Sequence, residues 1–164
     1  VAALLREWAE ALGVSEAERA RWLEAARLHD SLRDAPLERL ASYAPTSAML
    51  PPKVWHGPAA AALAEREGLA DRGVLDAVRY HTIGFAGWDD VGRMLYIADY
   101  LEPGRSHESD LAELRRKMPH HRDEVLREVA RRRLAHLVAK LHPIPRETWE
   151  FWNRLVADGS SSSR

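Results

Sequence analysis

Cysteine is absent from the 164 residues. Disulfides and thiolate metal sites are therefore excluded, and any metal must be held by nitrogen and oxygen. No apolar run approaches the roughly 20 residues needed to cross a bilayer. The opening Val-Ala-Ala-Leu-Leu is interrupted by Arg6, Glu7 and Glu10 before a signal-peptide core can form, so a cytoplasmic protein is expected. An excess of one charge is also missing. The chain has 24 Lys and Arg against 25 Asp and Glu, a net charge of −1, which gives no general ground for a DNA, RNA or membrane surface. No stretch alternates apolar and polar residues between hairpin turns, so strands are not expected. What is present is 46% hydrophobic and 30% charged residues, the balance of a globular protein at a length suited to one domain.

Apolar residues instead recur at helical spacing. Val1, Leu4, Leu5, Trp8 and Leu12 share one face of a first helix ending at Gly13. Ser15 and Glu18 form a capping box for a second, which carries Trp22, Leu23, Ala26 and Leu28. Pro36, Pro45, Pro51 and Pro52 break residues 31–56 and leave one short helix over Leu37–Tyr43. Further helices are predicted over Pro58–Glu67, Asp71–His81, from a cap at Asp89 or Asp90 to Pro103, over Ser106–Lys117, from Pro119 to Leu141, and over Arg146–Val156. Trp8, Trp22, Trp149 and Trp152 read as packing residues, and Arg131-Arg132-Arg133 as a solvated helix face. The expectation is an all-α helical bundle, one domain over 1–157 with a disordered tail over 158–164.

Five residues supply a chemical apparatus: His29, Asp30, His56, His81 and Asp99. Three imidazoles and two carboxylates suit iron, manganese, cobalt or zinc and can activate water. Asp30 is the natural bridge between two ions, because its two oxygens can reach both while His29 binds one. Asp99 lies beside the apolar stripe Met94, Leu95, Ala98 and Leu101, where a lone carboxylate is costly and needs a partner. A metal, Arg105 or Tyr96 could be that partner. Phe85 and Trp88 follow His81 and read as aromatics packed near a turn. His107, His120, His121, His136 and His142 fit no ligand position.

The order His29-Asp30, His56, His81, Asp99 resembles the HD superfamily of metal-dependent phosphohydrolases. Tyr80-His81-Thr82-Ile83-Gly84 and Met94-Leu95-Tyr96-Ile97-Ala98-Asp99-Tyr100-Leu101-Glu102-Pro103-Gly104-Arg105 are similar to its YqeK-type branch of symmetrical bis(5'-nucleosyl)-tetraphosphatases. Trp55-His56-Gly57-Pro58-Ala59, Leu28-His29-Asp30 with Arg33, and Ile144-Pro145-Arg146-Glu147-Thr148 with Asn153 fit the same branch, although a lysine is usual where Arg33 stands. The resemblance implies a di-iron enzyme, metal ligands His29, Asp30, His56, His81 and Asp99, and catalytic roles for Asp30, His29 and Arg33. It implies cleavage of diadenosine tetraphosphate into two ADP, with Arg33, Lys53, Thr82, Gly84 and Arg105 on the substrate. The branch carries one more histidine just before a Val-Ala pair, so the chain is expected to begin inside its first helix with that ligand upstream of Val1. Two other readings stay open: an HD nucleotidase for another nucleotide, and a degenerate HD domain that binds nucleotide without catalysis. A homodimer through the last amphipathic helix is also left open.

Overall fold

Nine α-helices make up the described part of the chain, and no strand occurs among the described residues. The structure, a computed structural model, describes residues 1–45, 50–104 and 108–161. The helices are α1 (Ala2–Leu12), α2 (Glu16–Leu28), α3 (Leu37–Tyr43), α4 (His56–Arg66), α5 (Arg72–Tyr80), α6 (Asp90–Tyr100), α7 (Glu108–Lys117), α8 (Arg122–Ala139) and α9 (Arg146–Ser161). The all-α expectation holds.

Local chemistry sets most boundaries. Ser15 Oγ accepts from the Glu18 N–H, while the Glu18 carboxylate accepts from Trp22 Nε1 and Arg21. Asp71 and Asp89 cap α5 and α6, accepting from the Val74 and Val91 N–H groups. Arg21 reaches Asp71, Asp89 and Glu18, so one guanidinium ties α2 to the starts of both. Gly13 closes α1 in the left-handed conformation.

α6 is the central element, packed against α1, α2, α5 and α8. Between Val91 and Asp99 only Arg93 is not buried, so this helix is enclosed on nearly all sides rather than along one stripe. α4 packs on α5, α3 on α4, and α8 carries α7 and α9. Trp8, Trp22, Leu75, Leu95 and Tyr96 form the middle of the core, so the first two tryptophans are packing residues as expected.

Several boundaries and one register differ from expectation. α4 begins at His56, two residues before Pro58, because a proline inside the first turn lacks only an N–H that would have no helical partner. α8 begins at Arg122, not Pro119: Met118 and Pro119 are buried in a turn, and the His121 N–H bonds back to Lys117. α7 is described from Glu108, and Ser106 lies outside the described residues. α9 runs on to Ser161, so residues 158–161 continue a helix. Its inward face is Thr148, Phe151 and Leu155, which leaves Trp149 49% exposed and Trp152 half-buried.

Candidate metal centre

Helix ends bring the site together. His29 and Asp30 follow the last residue of α2, His56 opens α4, and His81 caps the end of α5. Asp99 sits near the end of α6. The approach of α4 to α5 depends on Gly57: a Cβ there would stand 2.9 Å from the Val78 carbonyl oxygen, 3.0 Å from that of Arg79 and 3.2 Å from His81 Nδ1. With no side chain at 57, His56 and His81 come within 3.1 Å, Nε2 to Nε2.

Each of the three imidazoles is fixed in the same way. Nδ1 of His29 lies 2.8 Å from the Ala26 carbonyl, Nδ1 of His56 3.1 Å from that of Lys53, and Nδ1 of His81 2.8 Å from that of Val78. A carbonyl can only accept, so Nδ1 carries the proton in every ring. The neutral ring then offers its Nε2 lone pair, which is the form a metal ligand needs.

Those lone pairs converge. His56 Nε2 is 3.3 Å and His81 Nε2 3.6 Å from Asp30 Oδ1, and His29 Nε2 is 3.7 Å from Asp30 Oδ2. Asp30, His56 and His81 place one ligand atom each within 4.8 Å of the others, the tight trio among the described residues. Lone pairs aimed at one point repel unless positive charge stands between them. Ligands held at about 2.0–2.2 Å from a common ion are themselves about 2.9–3.6 Å apart in octahedral or tetrahedral arrangement. The separations of 3.1, 3.3 and 3.6 Å match that interval, so the residues fit a divalent metal with nitrogen and oxygen ligands.

Electrostatics agree with this reading. Burial alone would raise the Asp30 pKa, but the contacts around it, the Arg33 guanidinium among them, outweigh it and hold the carboxyl well below its usual range. His81 is pushed down chiefly by burial, against the opposing pull of Asp30, which keeps its ring neutral. Arg33 Nη1 donates to Asp30 Oδ2 at 2.7 Å, so the second oxygen is answered by a cation.

Asp99 is buried and lines the same cavity but stands outside the trio. Its Oδ2 accepts from Arg133 Nη2 at 2.8 Å. Arg133 was expected on a solvated face. It is instead a largely buried side chain, because residues 125, 126, 129 and 130 face the core and 133 continues their stripe one turn further. Its guanidinium stands 4.4 Å over the Tyr96 ring, whose phenol burial pushes up to about 12. Arg131 and Arg132 pair with Glu128.

The cavity, of about 690 Å³, is lined by Asp30, His56, His81 and Asp99 on one wall. Arg33, Lys53 and Thr82 also line it, whereas Gly84 does not: its N–H bonds to Tyr80 and its backbone lies against Phe151. Arg105 and His107 lie outside the described residues. The opposite wall comes from α8 and the start of α9, through Arg132, Arg133, His136, Pro143, Pro145 and Thr148. His136 thus lines the cavity, a placement its sequence position did not indicate. Trp88 is core: its Nε1 donates to the Asp76 carbonyl and its ring meets Tyr96 and Phe151. Phe85 stacks on Tyr80 at 4.5 Å.

Comparison with known proteins adds independent findings. The model of one protein family, described as the HD domain, matches residues 1–104. A symmetrical bis(5'-nucleosyl)-tetraphosphatase of Bacillus subtilis is 34% identical over 107 residues, 65% of this chain and 57% of that protein. A protein of the same description from Staphylococcus aureus is 44% identical over 55 residues, 33% of this chain and 28% of that protein. The chain thus spans less than two thirds of the curated relatives it matches. A crystal structure from Clostridium acetobutylicum, described as a predicted HD superfamily hydrolase involved in NAD metabolism, superposes with a TM-score of 0.82. That match covers 96% of this chain and 85% of the other at 22% identity, a likeness of fold.

Proposed function

Because this chain belongs to the HD domain family, whose members bind divalent metal, we propose that it is a phosphohydrolase that splits diadenosine tetraphosphate symmetrically into two ADP. The observation that carries the reading is the convergence of Asp30, His56 and His81 on one point at the floor of a cavity with basic walls. The relatives described as symmetrical bis(5'-nucleosyl)-tetraphosphatases supply the substrate class. We assign two ions to the site, with iron preferred over manganese, cobalt or zinc.

Bound there, divalent metal supplies an acidified water and draws charge from a phosphoryl oxygen. The chain's own residues do the rest. Asp30 would hold both ions, a role supported by Oδ1 facing His56 and His81 while Oδ2 faces His29. His29 and Asp99 would complete the second ion's ligands. The three Nδ1–H contacts keep the rings in the ligand tautomer and prevent them from turning away. Arg33 and Lys53 lie where they can neutralise the outer phosphates, with Arg105 assigned the same task. Thr82 can hydrogen-bond phosphate or ribose. Water adding to either central phosphorus breaks the middle P–O–P bridge, and each half leaves as ADP.

Product analysis tests this directly. Metal-loaded protein given diadenosine tetraphosphate should release ADP as the sole nucleotide, and Asp30→Ala should abolish turnover while the helical circular-dichroism signal persists. AMP with ATP would contradict the symmetrical assignment. Inorganic phosphate from mononucleotides, with diadenosine tetraphosphate untouched, would assign the site to another nucleotide.

A further inference from the structure

Both carboxylates of the cavity are answered by arginines: Asp30 by Arg33 at 2.7 Å and Asp99 by Arg133 at 2.8 Å. The two pairs differ in setting. Arg33 is 58% exposed, whereas Arg133 is 18% exposed and Asp99 9%. Arg133 also belongs to α8, beyond residues 1–104, so the family pattern assigns nothing at this position.

The guanidinium is held but not locked. Nη1 donates to the Thr82 carbonyl at 3.1 Å, and the plane stands 4.4 Å from the centre of the Tyr96 ring and 5.4 Å from that of Tyr100. Nε is buried with no hydrogen-bond partner in the structure. Aromatic faces attract a cation without fixing its rotation, and five N–H donors exceed what Asp99 and Thr82 use. A buried cation that close to Asp99 also opposes a metal taking the same carboxylate.

We propose that Arg133 is a partner-switching residue, which neutralises Asp99 in the metal-free site and turns to a phosphate oxygen of the anionic substrate when metal takes Asp99. The inference rests on the metal-centre reading above. Its consequence is reciprocal coupling: phosphate tightens metal binding, and metal tightens phosphate binding, through one side chain. α8 thereby becomes a sensor of both, although it carries no metal ligand.

Calorimetric titration tests the switch without reference to turnover, with Mn²⁺ as the metal and inorganic pyrophosphate as the anion. Arg133→Met should bind Mn²⁺ about tenfold tighter than the wild type when no anion is present, since a competing cation is gone. The Mn²⁺-loaded variant should bind pyrophosphate about tenfold more weakly. Arg133→Lys keeps the charge without the planar fork, so its Mn²⁺ affinity should stay within about threefold of wild type while pyrophosphate weakens several-fold. This second variant carries the test if Arg133→Met fails to fold. Equal or weaker Mn²⁺ binding by Arg133→Met would overturn the switch, because it would make Arg133 a support for Asp99. Unchanged pyrophosphate affinity in both variants would overturn it as well. If wild-type protein takes up no Mn²⁺, the metal-centre reading falls and this inference with it; normal wild-type uptake with unaltered variants overturns this inference alone.

Discussion

One missing side chain sets how closely His56 and His81 approach. Gly57 leaves no room for a methyl group against the Val78 and Arg79 carbonyls, and Val78 is the acceptor that orients His81. Gly57→Ala should therefore do two things at once. Overpacking against backbone should cost about 1–3 kcal/mol of stability, read by urea denaturation. Displacement of the carbonyl that orients a ligand should lower metal affinity about 10- to 100-fold, read by titration. A variant that lost stability but kept its metal affinity would mean that α5 moves without disturbing His81. At this scale the candidate cluster was legible. Histidine and aspartate in a fixed order carry their chemistry in their residue types, and His29, Asp30, His56 and His81 do meet. Gly84 stands off the cavity wall because its loop packs under Phe151, a contact from far along the chain that no local pattern reports.

Helices were legible where capping chemistry is local, as at Ser15, Asp71 and Asp89, and α3 falls where the prolines leave it. They were less legible where the register is set by a partner. On α8 the buried positions 125, 126, 129 and 130 point to 133, yet three consecutive arginines suggested one solvated face. Consecutive helical residues are about 100° apart, so such a run must spread over more than one face. Two predictions belong to helix ends. Leu141 follows α8 at φ 54 and is 92% exposed, so it has the strained backbone of a left-handed cap and no packing to defend. Leu141→Gly should stabilise the protein by about 1 kcal/mol, seen as a higher melting temperature. Asp71 is held below its ordinary pKa, mainly by Arg21 and further by the Val74 N–H, against the effect of burial. A depressed carboxylate contributes stability above its unfolded pKa, about 4, and loses it as pH falls through the folded value. Asp71→Asn should accordingly weaken the protein at pH 7, and its deficit against wild type should shrink as the pH is lowered below about 4 in urea titrations.

Across the whole molecule, the cavity is built from two halves of the chain. Metal-ligand candidates come from the first 104 residues, which match the HD domain, while α8 and the start of α9 close the opposite wall. A near-neutral total charge concealed this arrangement, since a few arginines around one cavity barely change a sum over 164 residues. Among the described residues no helix is long and apolar enough to cross a membrane. Because candidate ligands at the end of α2, the start of α4 and the end of α5 meet at one point, metal should stabilise the fold as a unit. At a free concentration 100 times the dissociation constant, the gain is about 2.7 kcal/mol, and a chelator should reverse the rise in melting temperature. His81→Gln should remove most of that metal-dependent rise. Where metal sits decides the matter, and anomalous diffraction from a crystal grown with Mn²⁺ or Fe²⁺ measures it. A peak bonded to Asp30 Oδ1, His56 Nε2 and His81 Nε2 is expected, with a second peak on the His29 side of Asp30. Peaks elsewhere, or none between these three side chains at saturating metal, would contradict it.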